Sequence, residues 1–540
     1  MNAGDTAAGG DAPDRGGSPQ GGRDGTLIAF PRPAIRVEPG QRPAAVRAAE
    51  SALIAAGEAY QQGERLVRIA RIDTDTDLGG VRRTAGSLIV TAVTQDWLSH
   101  ALARAADWET FDKRGQLKAI DPPIAVVREL LALSGEWRLP VLRGIVTAPT
   151  LRADGSLLER DGYDARSGLY VDLGGLEYPP INSTPSVQEA REALLTLDDL
   201  LSECAFVGGV QSASASAMRA SIITAIARRA LDIAPALVIT AKQASSGKTA
   251  LAHMISRILT GLDAAVIPLD QEAAEQLGRR LLGVLMAGDP VVCLDNAVAP
   301  VDSAALCAAL TSGSYQDRII RSSTMARVST AVTLVITGNG LRLVGDLTTR
   351  AVACALDTGL DRPQERVYQR DIAAFIVEHR PRLVQAALTT PLAYLAAGSP
   401  TLAVRPSRFH EWDHLVRYPL VWLGCTDPIE TQRALEEADT ERQALRVLLA
   451  AWVAICGEHP VTVADLRRAA RGKGGEALID AMPGVALDRP GQINAHRLGN
   501  YLVERVGQVV DGMQIKDAGE DKHAKTRRYR VAVGPPGASG

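Results

Sequence analysis

AKQASSGKTA, residues Ala241–Ala250, stands between an apolar run, Pro235–Thr240, and a helical pattern that opens ALAHMISRIL. A buried strand, a loop of small residues and a helix N-terminus make the setting a phosphate group needs. Backbone N–H groups and the helix dipole both favour an anion there. On this reading Ala244, Ser245, Ser246, Gly247, Lys248, Thr249 and Ala250 bind a nucleotide. Lys248 reaches the β- and γ-phosphates, and the Thr249 hydroxyl holds Mg²⁺. The full pattern begins with a second glycine, and Lys242 stands in that place. Lys242 lacks the left-handed freedom of glycine, while Ala241, Ala244, Ser245 and Ser246 keep the loop small.

Four further apolar runs follow. Ala264–Asp270 precedes the helical QEAAEQLGRRLLGVLMAG, and Pro290–Leu294 ends in Asp295-Asn296. Ala331–Ile336 ends in Thr337-Gly338-Asn339, and Ala351–Asp357 comes directly after Arg350. A carboxylate at the C-terminal edge of a buried strand is where a phosphate-loop ATPase holds its metal and water. Asp295 is therefore the second Mg²⁺ ligand, beside Thr249. Asn296 and Asn339 place amides at the same edge. Asn296 can orient water but cannot take its proton, which bears on hydrolysis rate more than on nucleotide binding. Strands alternating with helices in this way imply a parallel sheet covered on both faces.

The constellation resembles the AAA+ ATPases, and more narrowly the superfamily 3 type helicases and primase–helicases of phages, plasmids and integrative elements. The matching residues are GKT at Gly247–Thr249, VVCLDN at Val291–Asn296, ITGNGL at Ile336–Leu341 and GDLTTR at Gly345–Arg350. Leu310–Val328, LTSGSYQDRIIRSSTMARV, is similar to the hairpin-bearing segment such proteins place before their Asn strand. The resemblance implies an α/β fold with a P-loop, AAA+-like parallel sheet core, an N-terminal α+β region, a helical lid and a C-terminal winged-helix-like domain. It implies ATP and Mg²⁺ as cofactors and a homo-oligomeric ring acting on single-stranded or forked DNA. Lys248, Asp295, Asn296, Asn339 and Arg350 are then the catalytic set. Asn339 orients water or senses the γ-phosphate, and Arg350 acts in trans as an arginine finger.

Composition agrees with a multi-domain enzyme. A chain of 540 residues exceeds what one core organises. The net charge of −3 excludes a global attraction to nucleic acid, so any DNA contact must come from local basic clusters. The six cysteines show neither CxxC nor Cys/His spacing, which excludes a zinc ribbon and a disulfide framework and points to a reducing cytoplasm. No apolar run approaches the roughly 18–20 residues of a membrane span, and the start lacks the pattern of a signal peptide. The expected location is the cytoplasm, without membrane partners.

The expected organisation is a disordered tail over 1–26, an α+β accessory domain over 27–195 and a helical connector over 196–235. The ATPase core follows over 236–360, a helical lid or linker over 361–438, a winged-helix-like domain over 439–533 and a flexible tail over 534–540. Within the accessory region, acids beside glycine, such as Asp154-Gly155 and Asp161-Gly162, read as turn chemistry rather than as paired-metal primase ligands. The connector is read as helical over Asp198–Arg229 with a Ser-rich interruption, QSASASAMR. The lid is read as helices over Glu365–Glu378, Arg380–Ala397 and Glu411–Leu423.

Candidate DNA contacts fall in two places. In Tyr315–Val328, Arg318, Arg321 and Arg327 alternate with Ile319, Ile320, Met325 and Val328, as in a hairpin with one packed side and one facing a channel. Pairing of these arginines with neighbouring acids is the other reading. In the C-terminal part, Arg497, Lys525, Arg527 and Arg528 are placed to touch phosphate if helices and a ribbon form a winged helix. A winged helix that binds protein is the alternative. The expected activity is ATP-driven DNA translocation. The alternatives are a nucleotide-switched DNA-binding regulator that never unwinds DNA, and a primase–helicase.

Overall fold

A computed structural model of the chain describes residues 32–269, 271–297, 300–318, 325–489, 491–521 and 525–533. The tails expected over 1–26 and 534–540, and Arg321 with Ile319 and Ile320, lie outside the described residues. The chain forms two compact units, Met1–Ala56 with Gln95–Ala132, and Gly57–Thr94 with Leu133–Gly540. Residues 27–195, read above as one accessory domain, are thus divided between the two.

In the smaller unit, helices Arg42–Ala56, Gln95–Ala105 and Ile124–Ala132 accompany a three-stranded sheet of Ala34–Arg36, Asp107–Phe111 and Leu117–Ala119. Leu53, Leu98, Leu102, Val127 and Leu130 are fully buried, and Trp108 Nε1 donates to the Leu102 carbonyl at 3.0 Å.

The larger unit is built on a mostly parallel sheet. Its strands and the adjoining ribbon are β1 (Thr76–Leu78), β2 (Val81–Arg83), β3 (Ala236–Ala241), β4 (Ala265–Pro268), β5 (Val291–Ala297), β6 (Ser314–Arg318), β7 (Met325–Ser329), β8 (Thr333–Asn339) and β9 (Ala351–Leu356). The seven-stranded sheet runs β9-β3-β8-β5-β4-β2-β1, and β6 and β7 form a separate antiparallel ribbon. Only the β1–β2 hairpin is antiparallel, joining β4 through Arg82 and Val266. Side chains alternate across the sheet as strand periodicity requires. Leu237, Ile239, Cys293 and Val335 enter one core, while Val238, Val292, Leu294 and Ile336 enter the other.

The helices that matter below are α1 (Val187–Leu201), α2 (Ala213–Ala227), α3 (Lys248–Thr260), α4 (Gln271–Ala287), α5 (Ala304–Thr311) and α6 (Ile372–Ala396). Helices α2 and α3 cover the first face, and α4 and α5 the second. The Ser-rich stretch read as an interruption is instead the start of α2, with Ser212 as its N-cap. That helix is buried on every side, which small Ala and Ser side chains permit. Ser221 and Thr224 spend their hydroxyls on carbonyls one turn back, at 2.8 and 2.6 Å. The two lid helices expected over Glu365–Glu378 and Arg380–Ala397 are one helix, α6, running through Pro381 and Pro391. Packing overrides the proline signal. Leu383, Val384, Ala387 and Leu388 are buried, and Arg380 donates to Ile258 O at 3.1 Å and Leu259 O at 2.6 Å, the last carbonyls of α3.

The β1–β2 hairpin is tied to the sheet by a bidentate pair, Arg83 and Asp289, at 2.6–3.1 Å. Their side chains are only 9% and 6% exposed. Asp289→Asn keeps an acceptor but leaves the Arg83 charge without its counterion. The expected loss is about 2 kcal/mol, read as a lowered unfolding temperature beside an Arg82→Ala control, whose side chain lies in the open.

The C-terminal part has its own core around Leu449, Trp452, Leu466, Leu498 and Val531. Helices Thr440–Cys456, Val463–Arg471 and Ala495–Arg505 precede a ribbon of Met513–Glu520 and Arg527–Val533, and the short strand Val461–Thr462 pairs with the latter. Among the described residues no helix is long and apolar enough to cross a membrane.

Candidate functional site

The loop between β3 and α3 takes its left-handed turns at Ser245 (φ 58°) and Gly247 (φ 86°). Lys242 has no positive φ, so the missing first glycine removes nothing this loop uses. Ser246, buried, donates to the Gln243 carbonyl at 2.6 Å and folds the loop back on itself. The helices beginning at Val187, Ala213 and Ala304 are each capped by a serine hydroxyl. At α3 the N-cap is Gly247, and among the described residues no side chain caps it. Its first N–H groups are left to solvent or to an anion.

Three adjacent parallel strands bring the sequence-separated residues to this loop. Lys248 Nζ donates to Asn339 Oδ1 at 2.7 Å and to the Gln243 carbonyl at 3.3 Å. Thr249 Oγ1 donates to Asp295 Oδ1 at 2.8 Å, and Thr337 Oγ1 to the same oxygen at 2.5 Å. Burial pulls the Lys248 pKa below its ordinary value, against the opposing pull of Asp295. Asp295 sits where β5 shifts register against β8 between Leu294 and Ala297. Such a bulge bends the strand and re-aims a side chain. It depends on Gly338, where a Cβ would stand 2.7 Å from the Ala297 carbonyl. Asn296, exposed, occupies the left-handed region at φ 58°, with its N–H given to Thr337 Oγ1 at 3.1 Å. Asparagine tolerates that conformation better than glutamate, which accounts for the amide at this position.

In sequence Thr337 and Gly338 are mere flanks of Asn339, yet one orients Asp295 and the other makes room for its bulge. A second feature has no sequence signal. Beside the loop lies a cavity of about 380 Å³, lined by Ser246, Ala250, Met254, Leu356, Tyr368 and Ile376 among others. Arg366 donates to the Glu203 carbonyl at 2.6 Å, which ties the segment after β9 to the end of α1. Its guanidinium lies 5.1 Å from the Tyr368 ring centre.

Arg350 lies at the other edge of the sheet. Ala351 is paired with Ala236, the start of β3, whereas the loop follows Ala241. Its guanidinium donates to Asp346 at 2.6 Å.

In the β6–β7 ribbon, Tyr315, Ala326 and Val328 are buried, while Gln316, Arg318, Met325 and Arg327 are exposed. Met325, expected on the packed side, shares the arginine face because it pairs directly with Arg318. Arg327 Nε donates to Ser314 Oγ at 3.0 Å. In the C-terminal part, Arg497 Nη1 lies 3.7 Å from Asp488, Lys525 sits at φ 48° in the ribbon's turn, Arg527 is exposed and Arg528 half-buried. The accessory acids serve local structure. Asp154 accepts from Ser156, Asp161 from Leu173 N, and Asp164 from Arg152 and Ser167. Among the described residues no group of three or more His, Cys, Asp or Glu gathers as a metal site would.

No family model matches the chain, and no curated protein matches it. Among solved structures, the apo A form of the NrS-1 C-terminal region aligns with 90% of this chain and 98% of that one, at 9% identity and a TM-score of 0.37. A shorter NrS-1 C-terminal region covers 81% of this chain and 100% of that one, at 12% identity and 0.35. A structure described as the active helicase Cch of SCCmec type IV covers 75% and 79%, at 12% and 0.29. At such scores and identities the likeness adds no weight to the geometry.

Proposed function

We propose that this chain is an ATP-hydrolysing motor that works on nucleic acid as a ring, a helicase-type ATPase. The observation that carries the reading is the hydrogen-bonded set Lys248–Asn339 and Thr249–Asp295–Thr337, gathered beside an uncapped helix N-terminus. A hydroxyl and a carboxylate converging at 2.8 Å are hard oxygen donors that suit Mg²⁺. When bound, the metal would neutralise charge on the β- and γ-phosphate oxygens. The loop N–H groups would hold the phosphates, and Lys248 would turn from Asn339 toward the transferring group. Asn339, released, would orient the attacking water. The cavity lined by Met254 and Tyr368 would take the base, its apolar floor and aromatic edge suiting a flat ring.

The exposed arginines of the ribbon support a nucleic-acid partner, and a winged helix is the reading for 439–533. There, helix Ala495–Arg505 would approach the duplex while the ribbon touches backbone phosphate. The test is strand displacement of a forked duplex beside nucleic-acid-stimulated ATP hydrolysis. Displacement that depends on hydrolysable ATP supports the motor. Hydrolysis and binding without displacement would favour the nucleotide-switched regulator, for which Asn296, an amide that cannot take a proton, is the favouring observation.

Arg318→Ala is expected to weaken single-strand binding several-fold and to make its salt dependence shallower by about 0.7 for each phosphate it no longer neutralises. Unchanged affinity and slope in anisotropy titrations would exclude the ribbon as a DNA-contacting element.

A further inference from the structure

At the foot of the β6–β7 ribbon lies an open cleft of about 420 Å³, lined by four arginines, Arg143, Arg152, Arg166 and Arg229, against two aspartates, Asp154 and Asp232. Arg152 is held by Asp164 at 3.0 Å, and Arg166 is paired with Asp154. The side chains of Arg143, exposed, and Arg229, half-buried, have no hydrogen-bonding or ion-pair partner among the described residues. The Arg229 guanidinium lies flat against Gly144, where a Cβ would stand 2.5 Å from its central carbon. Glycine there makes room for a guanidinium that pairs with no carboxylate among the described residues.

Its neighbour Arg228 is 4% exposed and donates to the carbonyls of Val332 at 3.0 Å, Thr330 at 2.8 Å and Leu231 at 2.5 Å. It thereby clamps the strand foot from which the ribbon rises. Burial pushes Arg228 down to about 9 and Arg229 to about 10, and the Arg229 charge adds to the cost of charging Arg228. Asp232 and Glu411 act on Arg228 only through space, Glu411 being spent on the backbone of Asp232. Two adjacent desolvated guanidiniums, neither hydrogen-bonded to a carboxylate among the described residues, are costly unless an anion enters.

We propose that this cleft binds backbone phosphates of a nucleic-acid strand, using Arg143 and Arg229 as the contacting cations. The cleft opens on Gly313, Ser329 and Ala331, where β6 begins and β7 ends, so a strand lying along the exposed Arg318 and Arg327 face would pass it. Its volume exceeds that of one phosphate group, which suits consecutive phosphates of a strand. The proposal rests on the reading that this chain handles nucleic acid.

The experiment titrates a fluorescein-labelled oligodeoxythymidylate against the full chain across a range of salt, with wild type, Arg143→Glu and Arg229→Gln. Sodium pyrophosphate is titrated in parallel by calorimetry. Thermal unfolding checks each variant, and Arg143→Glu, on the surface, keeps the test open if Arg229→Gln fails to fold. The expected result is a several-fold loss of strand affinity, with the salt slope shallower by about 0.7 for each phosphate left without its cation. Wild-type affinity and slope in a folded Arg143→Glu protein would overturn the proposal. So would loss of pyrophosphate binding alone, which would assign the cleft to a free phosphate compound. A wild-type protein that binds no strand would overturn the motor reading and the cleft proposal together, whereas an unaffected Arg143→Glu protein overturns the cleft alone.

Discussion

Replacing Lys248 with alanine is expected to lower ATP hydrolysis on the order of 10²-fold or more. The ammonium stands at the first residue of α3, partly desolvated, with neutral acceptors at Asn339 and Gln243 rather than a carboxylate. A cation held this way can be taken over by a phosphate without breaking an ion pair. Its effect falls on charge that develops as the phosphoryl group transfers, so it acts on the rate more than on substrate affinity. The measurement is steady-state phosphate release, with nucleotide affinity followed separately. Asp295→Ala is expected to fail similarly through misplacement of the metal. A folded Lys248→Ala protein that turns over at the wild-type rate would end the ATPase assignment.

The second large effect concerns Arg350. Replacement with alanine is expected to leave nucleotide affinity close to wild type and to reduce hydrolysis by roughly 10³-fold, the scale of a missing arginine finger. Arg350 precedes β9 at the edge of the sheet away from the loop, a placement that favours action on the phosphates of a neighbouring subunit. Within the subunit it is held by Asp346, itself 74% exposed, a pair that a neighbouring nucleotide could displace at little cost because one partner is in water. Mixing Arg350→Ala with Lys248→Ala protein should restore part of the activity, since some interfaces then join an intact loop to an intact Arg350. Mixed assemblies that exchange subunits and yet stay inactive would show that Arg350 acts within its own subunit.

Much of the site is legible in the sequence because its signals are local. GKT after a six-residue apolar run, an acid ending VVCL and an amide ending TLVITG each mark the end of a strand by composition and period alone. The loop's backbone is less so. Lys242 reads as a defect in sequence, but the left-handed residues are Ser245 and Gly247, and only the path of the chain reveals that. Asn296 reads as a weakened catalytic position. The strand shift at Leu294–Ala297 gives it a conformational reason, and that shift depends on Gly338 from a different strand.

The alternation of apolar runs and helical patterns, the ends of β3, β5 and β8, and the outward arginines of the ribbon were determined by the sequence itself. Period and turn chemistry act between residues a few positions apart, so one chain read linearly contains them. The tertiary structure alone decided that β8 lies between β3 and β5, which sets Thr249 against Asp295 across 46 residues and Lys248 against Asn339 across 91. It also decided that a hairpin from the accessory region completes the sheet, that α6 runs through two prolines, and that Arg143 and Arg229 face one cleft. These outcomes depend on which surfaces bury one another. Burial is indifferent to separation along the chain, so no local pattern announces it.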